Sequence, residues 1–172
     1  MEPETTAELL GRVPIFQGLK PSQLTAITAI GQDIYFESGV PMLMAGETGH
    51  TAYLILNGFV ALDPHYETEF DDDEVLGYGT FLGELAMLVE TTFTITVIAR
   101  WAVRTLAIPR EAMSKLMEED PSIAHHFACK LVERLQRMAD AIRRAENQFA
   151  VMEAGTGDFD DEEPEILVEL AV

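Results

Sequence analysis

The middle of the chain, residues 34–108, most constrains the fold because it consists of short β-branched and aromatic runs separated by glycines. Several short strands at such close spacing are typical of a β-sandwich or β-barrel. The strongest turn signal is Asn57-Gly58, which separates Tyr53–Leu56 from Phe59–Leu62. Because Asn-Gly favours a two-residue turn, the sequence predicts that these two runs form a β-hairpin. Two further strands are predicted at Phe93–Ala99 and Ala102–Ile108.

Helical patterns lie on both sides of this region. The sequence predicts helices at Thr5–Leu10, Pro21–Ile30 and Arg110–Met117, and a long one from Pro121 onward. Pro121 suits the first turn of a helix, where its missing N–H costs no hydrogen bond. We expect four parts: an N-terminal helical element (1–33), a barrel (34–109), C-terminal helices (110–152) and an acidic tail with an apolar terminus (153–172).

The long helix carries an apolar stripe whose positions alternate steps of three and four from Ala128 to Met152. This heptad spacing indicates a coiled-coil seam and predicts a parallel homodimer. Packing of the stripe onto the barrel is the alternative. The residues expected to form the dimer seam are Leu131, Leu135, Met138, Ile142, Ala145 and Phe149.

The net charge of -19 excludes several classes of partner. Negative charge repels phosphate backbones and anionic lipid surfaces, so we expect no nucleic acid partner. No segment approaches the roughly 20 apolar residues that span a bilayer, so we expect no membrane insertion. A single cysteine, with no signal-peptide pattern at the N-terminus, makes a cytoplasmic location the expectation.

Acidic residues concentrate in a predicted loop, residues 67–74, and in the tail. Such runs are usually solvated. The apolar terminus Ile166–Val172 could nevertheless dock on a protein partner, or on its own domain. Basic residues of the long helix could receive the acidic tail, with plain solvation as the alternative. These residues are Lys130, Arg134, Arg137, Arg143 and Arg144.

The most specific motif is Gly79–Leu88, which reads Gly-Thr-Phe-Leu-Gly-Glu-Leu-Ala-Met-Leu. It resembles the phosphate-binding cassette of cyclic-nucleotide-binding domains of the catabolite activator protein type. Ile15–Leu19 resembles the opening helical element of that family, and Gly46–Gly58 its glycine-marked hairpin. The resemblance implies a mainly β fold, an eight-stranded antiparallel jelly roll (double-stranded β-helix) with N-terminal helices and a long C-terminal helix.

The resemblance also implies a ligand site for cyclic AMP or cyclic GMP. In the family, a short helix turns backbone N–H groups and the positive end of its dipole toward the phosphate. By this resemblance, Gly83 lets the ligand approach and Glu84 accepts a hydrogen bond from the ribose 2′-hydroxyl. The N–H groups near Leu85 and Ala86 would face the phosphate. Glu84 could instead cap the short helix.

The chain departs from the family pattern at the cassette arginine, where an ungapped alignment places Phe93, followed by Thr94. Losing a charge-assisted bond worth about 1.5–3 kcal/mol would weaken phosphate binding on the order of ten- to a hundredfold. Arg100 and Arg104 are expected to point outward rather than replace it. Three interpretations stay open: weak cyclic nucleotide binding, binding of a less charged ligand that stacks on Phe93, or a pocket filled by Phe93.

The sequence shows no catalytic or metal-binding pattern. The adjacent His125 and His126 point about 100° apart on a helix, unlike a metal-binding pair at i, i+4. Cys129 is expected to be a small buried residue beside the seam. We therefore expect a non-enzymatic regulatory or adaptor protein with an altered pocket. The alternative is a structural or accessory subunit of a larger assembly, anchored by its C-terminal segment.

Overall fold

A computed structural model describes residues 4–63 and 75–153 of the chain. The predicted acidic loop 67–74, the tail beyond residue 153 and the side chain of Phe149 lie outside the described residues. The described helices are α1 (Thr6–Arg12), α2 (Pro21–Ile30), α3 (Arg110–Glu119) and α4 (Pro121–Glu153), with 3₁₀ helices at Pro14–Phe16 and Glu84–Met87. The predicted helix Pro21–Ile30 is confirmed at both ends.

The ends of the helices follow local side-chain chemistry. Thr5 and Glu8 form a capping box at the start of α1, because the Thr5 hydroxyl accepts the Glu8 N–H and the Glu8 carboxylate accepts the Thr5 N–H. At the start of α4, the Asp120 carboxylate accepts the N–H of Ser122 at 3.0 Å. Each carboxylate thus satisfies a backbone donor that the helix itself leaves unpaired.

All strand pairs are antiparallel in the described residues. The strands are β1 (Gln32–Phe36), β2 (Pro41–Leu43), β3 (Thr48–Gly49), β4 (Thr51–Asn57), β5 (Val60–Asp63), β6 (Val75–Leu76), β7 (Phe81–Leu82), β8 (Thr91–Thr92), β9 (Thr96–Ala99) and β10 (Val103–Pro109). Two sheets have four strands each, in the orders β1-β10-β4-β7 and β2-β9-β5-β6, and β3 pairs with β8 in a separate ribbon. This short ribbon makes the described strands more numerous than the eight predicted.

The predicted hairpin around Asn57-Gly58 is wrong. The chain does turn there, with Gly58 at φ 93°, a conformation that favours glycine. However, β4 pairs with β10 and β7, whereas β5 pairs with β9 and β6, so the turn connects two different sheets. A Cβ at Gly58 would lie 2.5 Å from the Ala102 carbonyl oxygen, so close backbone packing also requires the glycine.

The core has two parts that share the sheet containing β4. Leu54 packs with the N-terminal and C-terminal helices, in a cluster that includes Phe16, Phe81 and Phe127. The next residue, Ile55, packs into a second cluster between the two sheets. Because successive side chains of a strand point to opposite faces, β4 supplies both clusters. Phe93 packs against the second cluster and also lines a pocket.

Candidate ligand pocket

Gly83 begins the candidate site by reversing the backbone before the Glu84–Met87 helix. It has φ 66° and ψ 34°, the left-handed conformation that glycine adopts most easily. The Ala86 N–H donates to the Gly83 carbonyl at 2.9 Å. Of the two N–H groups predicted to face a phosphate, that of Ala86 is therefore engaged within the turn itself.

Phe93, at the position of the family arginine, packs directly against this turn. A Cβ at Gly49 would lie 2.6 Å from Phe93 Cζ and 2.8 Å from the Ala86 Cβ, so Gly49 leaves the space that the ring occupies. The backbone of Phe93 donates to Glu47 and accepts from Gly46, at 3.0 and 2.9 Å. Phe93 therefore lies in the segment before β9, and the strand predicted from Phe93 begins only at Thr96.

Glu84 forms an ion pair with Arg134 of α4. Both side chains are nearly buried, with 16% of Glu84 and 13% of Arg134 exposed. Two charges removed from water in this way are stable only when they compensate each other. The contact therefore ties the Glu84–Met87 turn to the long helix. It also occupies the carboxylate to which the family resemblance assigns ribose binding.

Between this turn and α4 lies a pocket with a volume of about 370 Å³. All six predicted ligand residues line it: Gly83, Glu84, Leu85, Ala86, Phe93 and Thr94. Three predicted seam residues of α4 line it as well: Leu131, Leu135 and Met138. The other lining residues are Leu43, Val89, Thr91, Thr92, Ile95 and Arg134.

Arg134 lines the pocket, although no sequence motif predicted this position. Its position beside the apolar stripe, one residue before Leu135, was the available signal, because the same helix face that packs on the barrel carries its flanking residues inward. Arg104 lies elsewhere, on the surface, as strand alternation predicts. Its guanidinium donates to the Asp33 carboxylate at 3.0 and 3.2 Å, and these bonds raise the pKa of Arg104.

The later residues of the α4 stripe are less covered, including Leu135 of the pocket lining. Leu135 is 65% exposed and Ile142 is 55% exposed, although both continue the heptad spacing.

The prediction that Cys129 is buried is wrong: its side chain is exposed, with Sγ 3.6 Å from His125 Nε2. His126 is partly buried, and its Nε2 lies 2.8 Å from the Ile15 carbonyl oxygen.

Comparison with known proteins places this geometry in a family. Residues 33–120 match the family model of the cyclic nucleotide-binding domain. The chain belongs to the cyclic nucleotide-binding domain family. The matched residues include the Gly83–Met87 turn and Phe93, and they end at Asp120, immediately before α4.

Curated relatives of this cyclic nucleotide-binding domain occur in longer proteins. The chain is 29% identical over 127 residues to the cyclic AMP receptor protein of Thermus thermophilus, covering 72% of this chain and 57% of that protein. It is 27% identical over 147 residues to the cGMP-dependent protein kinase egl-4 of Caenorhabditis elegans, covering 84% of this chain and 18% of that protein. The chain thus spans little more than half of the first relative and a small part of the second.

A solved structure supports the fold. The N-terminal domain of a transcriptional regulator from Streptomyces coelicolor A3(2) superimposes with a TM-score of 0.69 at 23% identity, covering 78% of this chain and 94% of that one. Among the described residues, no helix has both the length and the hydrophobicity of a transmembrane span. The same residues contain no group of three or more metal-binding side chains.

Proposed function

We propose that this chain is a non-enzymatic regulatory or adaptor module that acts by binding, with a pocket altered from the cyclic-nucleotide pattern. The Glu84–Arg134 ion pair carries this proposal, because it joins the ligand-binding turn of the family to the helix that leaves the domain. A ligand that breaks this ion pair would remove a contact that holds α4 against the Glu84–Met87 turn. Such a signal requires two conformations that differ in the position of α4, and a ligand that binds one of them more tightly than the other.

A second set of contacts supports the same direction of signalling. Arg110, the first residue of α3, donates its N–H to the His50 carbonyl at 2.8 Å, and its guanidinium lies 2.7 Å from His50 Nδ1. His50 follows Gly49, the residue on which Phe93 packs. A displacement of Phe93 would therefore reach the start of α3 through two neighbouring residues, and α3 leads directly into α4.

The alteration of the pocket rests on Phe93. The ring packs against the turn where the family pattern brings an arginine to a phosphate, so a cyclic nucleotide would lose its main counter-charge. The names of the Thermus and Caenorhabditis relatives refer to cyclic AMP and cyclic GMP, which supports a binding role for this domain. We propose that this chain binds either nucleotide weakly or not at all.

Calorimetry and thermal unfolding with cyclic AMP, cyclic GMP and cyclic di-nucleotides test this proposal, in the natural chain and in a Phe93→Arg variant. We expect little heat from the natural chain. We expect a ten- to hundredfold gain in cyclic AMP affinity from Phe93→Arg, because a charge-assisted bond contributes about 1.5–3 kcal/mol. Micromolar binding by the natural chain would contradict the altered pocket and favour a conventional sensor.

We further propose that α4 forms a homodimer through its exposed seam. Burial of Leu135 and Ile142 against a second copy would remove apolar surface that the single chain leaves in water. Ile142→Glu should shift the molecular mass measured by sedimentation from dimer to monomer. Asn147→Glu is the matched control, because it adds the same charge to an exposed residue on the opposite face of the helix. Equal masses for both variants would argue against the seam.

The alternative function is a structural or accessory subunit, favoured by the packing of Phe93 into the site. In that role the domain is a rigid block, and the apolar terminus Ile166–Val172 anchors it to a partner. Deletion of this terminus should abolish recovery of a partner in a pull-down with the tagged chain. Unchanged recovery would exclude this anchor.

A further inference from the structure

We infer that the pocket beneath α4 takes a neutral, predominantly apolar small molecule with a single hydrogen-bonding edge, rather than an anion. This inference rests on the proposed function, because it specifies the ligand of the same pocket. Three observations carry it: the balance of charge in the lining, the chemistry of the lining residues, and the size of the pocket.

The charges in the lining cancel. Among the described residues around the pocket, the charged side chains are Glu84 and Arg134, and they are paired with each other. A phosphate or carboxylate that recruited Arg134 would leave the nearly buried Glu84 carboxylate beside a second anion. The chain as a whole carries a net charge of -19, which also opposes the approach of an anion. A neutral ligand meets neither obstacle.

The residues that line the pocket favour an apolar ligand. The Phe93 ring and Leu43, Val89 and Ile95 lie on the barrel side of the pocket, and the α4 side consists of Leu131, Leu135 and Met138. The thioether of Met138 and the unbranched shape of that side chain adapt to flat rings. Thr91, Thr92 and Thr94 also line the pocket. Their hydroxyl groups are the donors and acceptors available for the hydrogen-bonding edge.

The size of the pocket limits the ligand. A volume of about 370 Å³ lies within the usual range for small-molecule sites, roughly 300–1,000 Å³. A compound with two or three fused or linked rings fills such a space. A second copy of α4 is the other occupant that the apolar wall could accept, because seam residues form it, and the experiment below separates the two.

The test uses two fluorescent probes with one ring skeleton: N-phenyl-1-naphthylamine, which is neutral, and 8-anilinonaphthalene-1-sulfonate, which carries a negative charge. We expect saturable binding of the neutral probe with one site per chain, and at least tenfold weaker binding of the sulfonate. Phe93→Arg should narrow or reverse this preference. Tighter binding of the sulfonate by the natural chain would overturn the inference.

A pair of tryptophan variants confirms the location of the probe. Val89 lines the pocket and is 44% exposed, whereas Val40 is 39% exposed and lies outside the lining. Val89→Trp should reduce affinity for the neutral probe at least tenfold, and Val40→Trp should leave it within about twofold. Equal affinities for the two variants would place the probe elsewhere and overturn the inference.

Three further outcomes distinguish failure of this inference from failure of the proposed function. If cyclic AMP binds saturably to the natural chain and displaces the neutral probe, the inference fails but a ligand-binding regulatory role survives. If neither probe nor any cyclic nucleotide binds, the inference and the sensor role both fail. If Ile142→Glu makes the chain monomeric and only then allows the probe to bind, a second copy of α4 is the natural occupant, and the inference also fails.

Discussion

The first turns of α4 and its later turns follow the same kind of apolar spacing but meet different surroundings. Ile123 and Phe127 are fully buried against the N-terminal helices and the β4 sheet, whereas Leu135 and Ile142 are mostly exposed. Arg134 lies between the two parts and connects the helix to Glu84. The comparison teaches that apolar residues at similar helical spacing can belong to the core in the first turns of a helix and line a pocket in its later turns.

The largest expected difference between the two parts is in stability. Phe127 packs edge to face with Phe16 at a centroid distance of 5.7 Å, so Phe127→Ala should lower the free energy of unfolding by about 3–5 kcal/mol. Ile142→Ala, in dilute protein, should change it by less than about 0.5 kcal/mol. Urea denaturation at low protein concentration measures the free energy of unfolding of both variants. Similar losses for the two variants would show that the later turns also pack within one chain.

The Glu84–Arg134 ion pair should have the next largest effect on the free energy of unfolding. Arg134→Met leaves the Glu84 carboxylate nearly buried without its partner, which should cost about 1–3 kcal/mol. Adding Glu84→Gln should recover part of that loss, because the uncompensated charge disappears. A double-mutant cycle in urea measures the coupling. Additive effects would mean that the pair does not join α4 to the barrel.

The hydrogen bond of His126 should make a smaller contribution to the stability of the buried first turns of α4. His126 Nε2 lies 2.8 Å from the Ile15 carbonyl oxygen, so His126→Phe should cost about 1 kcal/mol. His125→Phe is the matched control, since the neighbouring ring is exposed. Equal stability of the two variants in thermal unfolding would show that the bond to Ile15 contributes little.

The smallest effect on the free energy of unfolding is expected at Asp120, the residue immediately before α4. Hydrogen bonds from Ser122 and Gln23 lower the pKa of Asp120. A lowered pKa in the folded state means that the contribution of Asp120 is present above the pKa of the unfolded chain and disappears as pH falls through the folded value. The stability difference between the natural chain and Asp120→Asn should therefore shrink as the pH falls below the ordinary pKa of an aspartate. A constant difference would assign the contribution to packing alone.

Local patterns predicted the elements that depend on nearby residues. Pro21 and Pro121 each begin a helix, as predicted, and the chain turns at Gly58, as the Asn57-Gly58 signal predicted. These features depend on the intrinsic limits of proline and glycine, which act within one or two residues. The resemblance around Gly83 named six of the residues that line the pocket, and their binding of a ligand stays a prediction.

The Asn57-Gly58 turn shows where such reasoning stops. The dipeptide favours a tight reversal, and the reversal occurs, yet the strands on either side join different sheets. β4 pairs instead with β10, and β5 pairs with β9, both distant in sequence. This arrangement lets β4 pack against the helices on one face and against the second sheet on the other. Loop-closure entropy rises only slowly with separation, so distant strands compete readily with adjacent ones.

By itself, the sequence determined the helix starts, the glycine turns, the heptad stripe and the replacement of the cassette arginine by Phe93. Only the tertiary structure decided that Phe93 packs on Gly49, that Arg134 neutralises Glu84, and that part of the stripe lines a pocket. The physical reason is range. Backbone preferences act between neighbours, whereas packing and charge compensation depend on residues that the fold brings together from distant parts of the chain.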